Sequence, residues 1–279
     1  MRLLLFATLF FFTLSAFSQV SVMTYNIRNS NAKDGVNKWS KRKQALADVV
    51  LKRDPDILGT QEVLLNQLND LKKLLPAYDV FGAGRNNGKQ AGEHSTIFYR
   101  RDKYEFMTGG NFWLSETPSV PGSKSWDAAI TRICSWVELR DKQTSDEIFV
   151  FNTHFDHRGK QARVKSAALL CRMIDSLAVD RPVIVTGDFN FTPDNAGYLV
   201  MIGENHTVPL TDSYSAEAPN YTDCGFNVSN THCSRIDYIF YSQQFIKDSY
   251  KLHTDNNGTY YPSDHLTISV DLRIKRLKF

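Results

Sequence analysis

The chain has 279 residues, of which 42% are hydrophobic and 12% aromatic, and its formal net charge is +3. This composition excludes an intrinsically disordered chain, and the length suits one large domain or two small ones. The weak positive charge argues against a dedicated nucleic-acid binder, although it permits a polyanionic substrate.

Residues 1–18 have the features of a secretory signal peptide. Arg2 gives a positive start, the following residues as far as Leu14 are apolar, and a small-residue cleavage site ends at Ser18. A membrane anchor or a buried first helix is the alternative, but the apolar run is shorter than the roughly 18 to 20 residues of a span. We therefore expect export to the periplasm or the exterior, no membrane span, and one mature domain over residues 19–279.

Hydrophobic patterning predicts strands and helices that mix along the mature chain. In chain order, the predicted elements are a strand at 20–25, a helix from 41 to 53, a strand at 57–62, a helix at 64–75, a loop at 81–92, a strand at 95–99, an irregular stretch at 109–125, strands at 133–139 and 148–153, a helix at 161–177, a strand at 183–188, a short helix at 195–202, and strands at 236–241 and 266–272. Hairpin-like pairs stand beside strand-helix-strand units, so the sequence predicts a mixed-sheet α/β sandwich.

Polar residues that bind metals or carry protons stand at the ends of these strands or directly beside them. They are Asn26, Glu62, Glu93, His154, Asp188, Asn190, Asp237, Asp264 and His265. Sheet enzymes keep their chemistry at the carboxyl ends of strands, and turn preference alone does not explain so large a set. Carboxylate and amide oxygens suit Mg²⁺ or Mn²⁺ better than zinc. The sequence therefore predicts phosphoester hydrolysis assisted by a hard divalent cation.

Short motifs around these residues follow one another in an order that resembles the endonuclease/exonuclease/phosphatase superfamily, the fold of deoxyribonuclease I. They are Met23-Thr24-Tyr25-Asn26, Gly59-Thr60-Gln61-Glu62, Asn152-Thr153-His154, Gly187-Asp188-Phe189-Asn190, Arg235-Ile236-Asp237-Tyr238 and Ser263-Asp264-His265. Each motif alone is weak, but the ordered set is specific and covers nearly the whole mature chain. The resemblance implies a four-layer α/β/β/α sandwich with two mixed central sheets and one cleft.

The resemblance also implies which residues bind the metal and the water. Glu62 is the expected main metal ligand, with Asn26 and Asp264 near the metal directly or through water. Asp188 would orient or deprotonate the attacking water. Asn190 would help to hold that water and the phosphate.

Two catalytic imidazoles follow from the same resemblance. Asp237 would hydrogen-bond His265 and fix its orientation, so that the other ring nitrogen faces the phosphate. His154 would be the second imidazole, and Glu93 matches the acid that partners it in several members of the superfamily.

Within the superfamily, the chain looks most like a secreted bacterial branch related to CCR4-type exonucleases. The run Asp156-His157-Arg158 after His154 belongs to that likeness. These three residues either bind substrate or form a solvated loop that caps the following helix. Trp113 and Trp126 likewise either line a substrate wall, where stacking on a base is worth about 1 to 3 kcal/mol, or pin down long loops.

The four cysteines fall into two groups. Cys134 and Cys171 lie in apolar runs and are expected to be buried free thiols. Cys224 and Cys233 bracket a short polar segment, and a disulfide is expected between them because export favours oxidation. A zinc site that uses His232 is the weaker alternative, since the usual cysteine spacing is missing.

The predicted function is that of a secreted Mg²⁺- or Mn²⁺-dependent phosphodiesterase or phosphatase. The expected partner is a phosphorylated substrate, foremost a single-stranded nucleic acid or a nucleotide, and the enzyme is expected to be a monomer. One alternative is a hydrolase of a lipid, sugar or inositol phosphate. Another, from a different class, is a non-catalytic module that binds a phosphorylated ligand. The loops between the motifs carry few clustered basic residues, which disfavours a long duplex footprint.

Overall fold

A computed structural model of the chain describes residues 19–204 and 206–275. The expected signal peptide, residues 1–18, lies outside the described residues. In chain order the elements are β1 (Gln19–Asn26), α1 (Trp39–Arg53), β2 (Ile57–Val63), α2 (Leu65–Leu74), β3 (Tyr78–Phe81), β4 (His94–Arg100), β5 (Tyr104–Trp113), β6 (Ile133–Asp141), β7 (Glu147–His154), α3 (Lys160–Leu177), β8 (Val183–Asp188), α4 (Ala196–Met201), β9 (Leu210–Asp212), β10 (Asp237–Ser242), β11 (Phe245–His253) and β12 (Thr267–Ile274).

The strands form two mixed six-stranded sheets. The first has the order β11-β12-β1-β2-β4-β3 and the second the order β5-β6-β7-β8-β10-β9. Parallel pairs, β1 with β2 and β7 with β8, lie at the centre of each sheet, and the other pairs are antiparallel. Each parallel pair is joined through a helix, as a crossover between parallel strands requires.

Three buried hydrophobic clusters hold the layers together. Alternate residues of the central strands, such as Val22 in the first sheet and Ile184 in the second, meet between the two sheets. Residues of the opposite parity, such as Met23, pack against α1 and α2 on one outer face. Leu170 of α3 packs with Val185 on the other outer face. The expected four-layer α/β/β/α sandwich is confirmed.

A buried polar seam crosses the space between the sheets close to the motif residues. Oδ1 of Asn152 accepts a hydrogen bond from Gln61 at 2.7 Å, and its amide donates to the backbone carbonyls of Thr60 and Thr96 at 2.9 Å each. Gly59 allows the sheets to approach here, because a Cβ at this position would lie 2.1 Å from Oγ1 of Thr186. This part of the motifs therefore joins the two sheets rather than lining the cleft.

Four strands were not predicted from the sequence, namely β3, β5, β9 and β11. The stretch 109–125, expected to be irregular, begins inside β5, and residue 81, expected in a loop, ends β3. All four are edge strands. An edge strand is hydrogen-bonded on one side only and is partly exposed, so it lacks the strong alternation that identifies an inner strand.

The cysteines behave as expected. Cys224 and Cys233 form a disulfide, while Cys134 and Cys171 are free and buried. The alternative zinc site is therefore wrong, because its two thiols are bonded to each other. No helix among the described residues has both the length and the apolar character needed to cross a membrane.

Candidate active site

One edge of the sandwich collects the residues of the separate motifs. In the second sheet, the strand register places His154 beside Asp188 and Asp188 beside Asp237, across β7, β8 and β10. In the first sheet, Asn26 at the end of β1 pairs with Gln61, the residue before Glu62. Because all these strands reach the same edge, Asn26 and Asp188, which are 162 positions apart in the chain, come into hydrogen-bonding contact there.

These residues surround a cavity of about 370 Å³. It is lined by Arg28, Asn29, Glu62, Glu93, Ile130, Arg132, His154, His157, Asp188, Asn190, Asp223, Ile236, Asp264 and His265. Asn26 and Asp237 are buried and contact the lining residues from behind. The volume is near the lower end of the range of about 300 to 1,000 Å³ that is usual for small-molecule sites.

Asp188 lies at the centre of the polar contacts in this cavity. Its Oδ2 accepts a hydrogen bond from Nδ2 of Asn26 at 2.9 Å and lies 3.3 Å from Nε2 of His154 and 3.9 Å from Nε2 of His265. Its Oδ1 accepts from the backbone N–H of Asn190 at 2.9 Å. Burial and the nearby charge of Asp237 raise the pKa of Asp188. A carboxylate with a raised pKa is a better proton acceptor than an exposed one.

Asn190 lines the cavity two residues after Asp188. Its backbone has a φ of 50°, in the left-handed region that asparagine tolerates better than most residues. Its side-chain amide donates to the backbone carbonyl of Phe155 at 3.0 Å, which fixes the amide at the cavity wall.

Asp237 and His265 form a closely bonded pair. Nδ1 of His265 lies 2.8 Å from Oδ2 of Asp237, and this contact turns Nε2 of the imidazole toward the cavity. Burial opposes the charged imidazolium, but the carboxylates of Asp237, Asp188 and Asp264 outweigh it and raise the pKa of His265 well above its usual value. His265 is therefore a cationic donor at neutral pH in this environment.

His154 has the opposite electrostatic character. Burial, together with the positive charges of Arg132 and Arg85, lowers the pKa of His154 well below its usual value, so the imidazole is neutral. Its Nδ1 has no hydrogen-bond partner among the described residues. The expected contact with Glu93 is not formed, because the Glu93 carboxylate pairs with the guanidinium of Arg85. Glu93 does line the same cavity.

Glu62 is aimed at the cavity by an irregularity in its strand. The register between β2 and β4 shifts between Thr60 and Val63, and Glu62 has a φ of 63°. Its Oε2 accepts from the backbone and side-chain N–H groups of Asn29 at 2.9 and 2.8 Å, and Oε1 accepts from Asn26 at 3.2 Å. Burial would raise the pKa of Glu62, but these hydrogen bonds and the charge of His265 lower it, so the carboxylate is ionised.

Asp264 adds a second carboxylate to the side of the cavity that holds Glu62. Its Oδ2 lies 3.3 Å from Nη1 of Arg28. The pKa of Asp264 is raised, first by burial and also by the negative charge of Glu62. A cation bound between two such carboxylates would relieve this repulsion.

Two groups of residues have the composition of a cation site. Ligand atoms of Asp188, Asp237 and His265 lie within 4.8 Å of one another. In that group, however, Nδ1 of His265 is already hydrogen-bonded to Oδ2 of Asp237 at 2.8 Å. The ionised Glu62, with Asn26 and Asp264 beside it, offers the oxygen donors that a hard cation prefers. The side chains of the Glu62 group therefore fit Mg²⁺ or Mn²⁺ better.

A family model described as the Endonuclease/Exonuclease/phosphatase family matches residues 23–265. The chain belongs to this family. Its members are phosphoester hydrolases, and the residues described above lie within the matched region.

Two solved structures and one curated relative illustrate what the chain is similar to. An endonuclease/exonuclease/phosphatase from Bacteroides vulgatus is 37% identical, with a TM-score of 0.87 and coverage of 92% of this chain and 100% of that one. A mannosyl-6-phosphatase from Bacteroides thetaiotaomicron is 41% identical, with a TM-score of 0.82 and coverage of 91% and 99%. Nocturnin of Drosophila melanogaster is 24% identical over 85% of this chain and 42% of that protein. The chain spans 38%, 60% and 59% of the length of three curated relatives that it matches.

The other candidate substrate residues divide between structural and cavity positions. Asp156 accepts hydrogen bonds from the backbone N–H groups of Ala129, Ile130, Arg158 and Gly159 at 2.7 to 3.1 Å. Burial opposes ionisation, but these bonds lower the pKa of Asp156 to about 2. Asp156 therefore shapes a loop and does not line the cavity, and the exposed Arg158 does not line it either. His157 does.

The two tryptophans also lie away from the cavity lining. Trp113 is buried, and its Nε1 donates to the backbone carbonyl of Arg85 at 2.6 Å. Trp126 packs against the hydrophobic cluster beneath α3. These contacts fit the alternative in which the two tryptophans pin down long loops.

Several residues that line the cavity were not identified from the sequence, chiefly Arg28, Asn29, Arg132 and Asp223. Arg28 and Asn29 closely follow the first motif, and this proximity was the available signal. Arg132 stands directly before β6, at the amino end of a strand, where no carboxyl-end pattern marks it.

Proposed function

We propose that the chain hydrolyses a phosphoester of a small phosphorylated substrate with the help of Mg²⁺ or Mn²⁺. The observation that carries the proposal is the position of Asp188, which contacts Asn26 on the Glu62 side and both imidazoles on the other. One cavity is thus surrounded by a proton acceptor, two imidazoles that can donate hydrogen bonds to a phosphate, and an oxygen-rich cation site.

In the proposed reaction, Asp188 takes a proton from a water molecule whose oxygen attacks phosphorus. The bond between phosphorus and the ester oxygen breaks, and the displaced oxygen takes up the proton, so the products are an alcohol and a phosphate. The imidazolium of His265 and the Nε2–H of neutral His154 donate to the oxygens on which negative charge develops. A cation held by Glu62, with Asn26 and Asp264, would neutralise phosphate charge when bound.

The size and the lining of the cavity support a particular substrate class. No phenylalanine, tyrosine or tryptophan is among the described residues that line it. Stacking on such rings supports binding of single-stranded nucleic acids. A small phosphate ester, such as a phosphorylated sugar, is therefore favoured over single-stranded nucleic acid or a nucleotide. The resemblance to the mannosyl-6-phosphatase supports the same choice.

We also propose that the enzyme is exported and acts as a monomer. The signal-peptide features of residues 1–18 and the disulfide between Cys224 and Cys233 support export, since disulfides persist in oxidising compartments.

Turnover tests the proposal directly. Metal-stripped mature enzyme is assayed with Mg²⁺ or Mn²⁺ on sugar phosphates, nucleotides, single-stranded RNA and DNA, and phospholipid headgroup esters. We expect metal-dependent release of phosphate from sugar phosphates, and loss of this activity in Asp188→Asn with an unchanged melting temperature. Binding of these ligands without turnover of any of them would instead favour the non-catalytic module.

A further inference from the structure

Arg132 is a buried cation whose hydrogen-bonding capacity is largely unused. The residue is 5% exposed and lines the cavity, yet its Nε and Nη1 have no hydrogen-bond partner among the described residues. Nη2 alone has a contact, with Nδ1 of His157 at 3.3 Å. A buried guanidinium normally has its donors satisfied, because a missing partner leaves desolvation uncompensated.

The other two arginines near the cavity are already neutralised. Arg85 pairs with Glu93, and Arg28 pairs with Asp34 at 3.1 Å and with Asp264 at 3.3 Å. Arg132 makes no ion pair within 4 Å in the described part of the chain. The cavity therefore contains one positive charge that no protein carboxylate neutralises directly.

The location of Arg132 relates this charge to the reacting phosphate. Arg132 directly precedes β6, the strand next to β7, which ends in His154. Arg132 and His154 line the same cavity and also the small pocket beside it, and the charge of Arg132 helps to lower the pKa of His154. A phosphate that accepts a hydrogen bond from His154 would thus lie near the guanidinium.

We propose that Arg132 binds a non-bridging oxygen of the substrate phosphate and thereby selects phosphomonoesters over phosphodiesters. This inference rests on the proposed function and specifies its substrate class. A monoester carries a terminal phosphate dianion above its second pKa of about 6, whereas a diester carries a single negative charge. An extra buried cation stabilises the dianion more, because the Coulomb energy scales with the ligand charge.

The experiment compares p-nitrophenyl phosphate with bis(p-nitrophenyl) phosphate at about pH 8, where the monoester is dianionic. The variants are Arg132→Met, which removes the charge, and Arg132→Lys, which keeps a charge with different geometry. Arg172→Met is the matched control, because Arg172 is an exposed arginine of α3 that does not line the cavity.

We expect Arg132→Met to lower kcat/KM for the monoester about 100-fold, as loss of one preorganised phosphate donor does, and to lower it much less for the diester. Arg132→Lys should recover part of the loss, and Arg172→Met should match the wild type on both esters. Titration calorimetry of inorganic phosphate into the Mg²⁺-loaded protein should show a weaker affinity in Arg132→Met, which is a readout independent of turnover.

The melting temperature separates this role from a structural one. Since two nitrogens of Arg132 have no partner, Arg132→Met should melt at or above the wild-type temperature. Equal losses on both esters, unchanged affinity for inorganic phosphate, or a wild-type preference for the diester would each overturn the inference. A wild type that hydrolyses neither ester would instead count against the proposed function.

Discussion

Nδ2 of Asn26, at the end of β1, donates a hydrogen bond to Oδ2 of Asp188, at the end of β8, over 2.9 Å. This contact joins the two sheets at the cavity and ties the Glu62 side of the site to the imidazole side. The same amide also donates to Oε1 of Glu62 at 3.2 Å. Asn26 therefore fixes the distance between the candidate cation site and the candidate base.

The Asn26 contact predicts a shift in pH dependence. A hydrogen bond to an ionised carboxylate lowers its pKa, so Asn26→Leu should raise the pKa of Asp188 further above its usual value. A base must be deprotonated to act, and the acid limb of the kcat/KM profile should therefore move to higher pH at saturating metal. An acid limb that stays in place while the variant remains active would show that Asp188 is not the base.

Loss of the Glu62 charge should weaken cation binding. Glu62→Gln keeps the shape and the hydrogen bonds to Asn29 but removes an ionised ligand. A ligand that binds only the folded state raises its stability in proportion to the logarithm of ligand concentration. We expect Mg²⁺ to raise the melting temperature of the wild type and to do so much less in Glu62→Gln. Glu147→Gln is the matched control. Glu147 forms an ion pair with Arg140 and lies at the opposite end of β7 from His154.

The pair of Asp237 and His265 predicts a variant that folds but turns over slowly. The Asp237 carboxylate orients His265 and raises the pKa of its imidazole, and Asp237→Asn removes both effects. The imidazolium should then lose its proton at lower pH, so the alkaline limb of the rate profile moves to lower pH. Turnover should fall by roughly 10² to 10⁴, as in other misoriented catalytic histidines. A collapse in melting temperature with normal activity per folded molecule would assign Asp237 a structural role.

The disulfide predicts a defined cost when it is removed. Closing the short loop between Cys224 and Cys233 should stabilise the fold by about 2 to 3 kcal/mol on a chain-entropy estimate, so Cys224→Ser with Cys233→Ser should lower the free energy of unfolding by that amount. Alkylation of the denatured, unreduced protein should modify Cys134 and Cys171 only. Mass spectrometry that finds four modified cysteines would contradict the pairing.

The small cavity predicts weak activity on duplex DNA. A duplex nuclease contacts many phosphates, and its affinity falls about 10³-fold or more between 50 and 200 mM salt. We expect small phosphate esters to be cleaved faster than plasmid DNA, with a much smaller dependence on salt. Efficient plasmid nicking that is abolished by salt would show that the surrounding loops bind duplex DNA.

The sequence by itself determined the inner strands, the longer helices and the motif residues. Inner strands such as β8 are buried on both faces, so their uninterrupted apolar runs are visible without a structure. The motif residues stand where these runs end, and the ordered motifs identify the family. The edge strands were missed because partial exposure weakens their alternation.

Tertiary structure alone decided which polar residues share the cavity and which serve the fold. Asp156 and His157 are neighbours in sequence, yet they have different roles. The Asp156 carboxylate accepts backbone hydrogen bonds that shape a loop, whereas His157 lines the cavity. Glu93 pairs with Arg85 rather than with His154, because a nearby guanidinium attracts a carboxylate more strongly than a neutral imidazole does. Arg132 is recognised as a candidate phosphate-binding residue only because the structure shows two of its nitrogens buried without a hydrogen-bond partner. Such contacts depend on how the two sheets pack against each other. The spacing of residues along the chain does not specify which side chains this packing brings together.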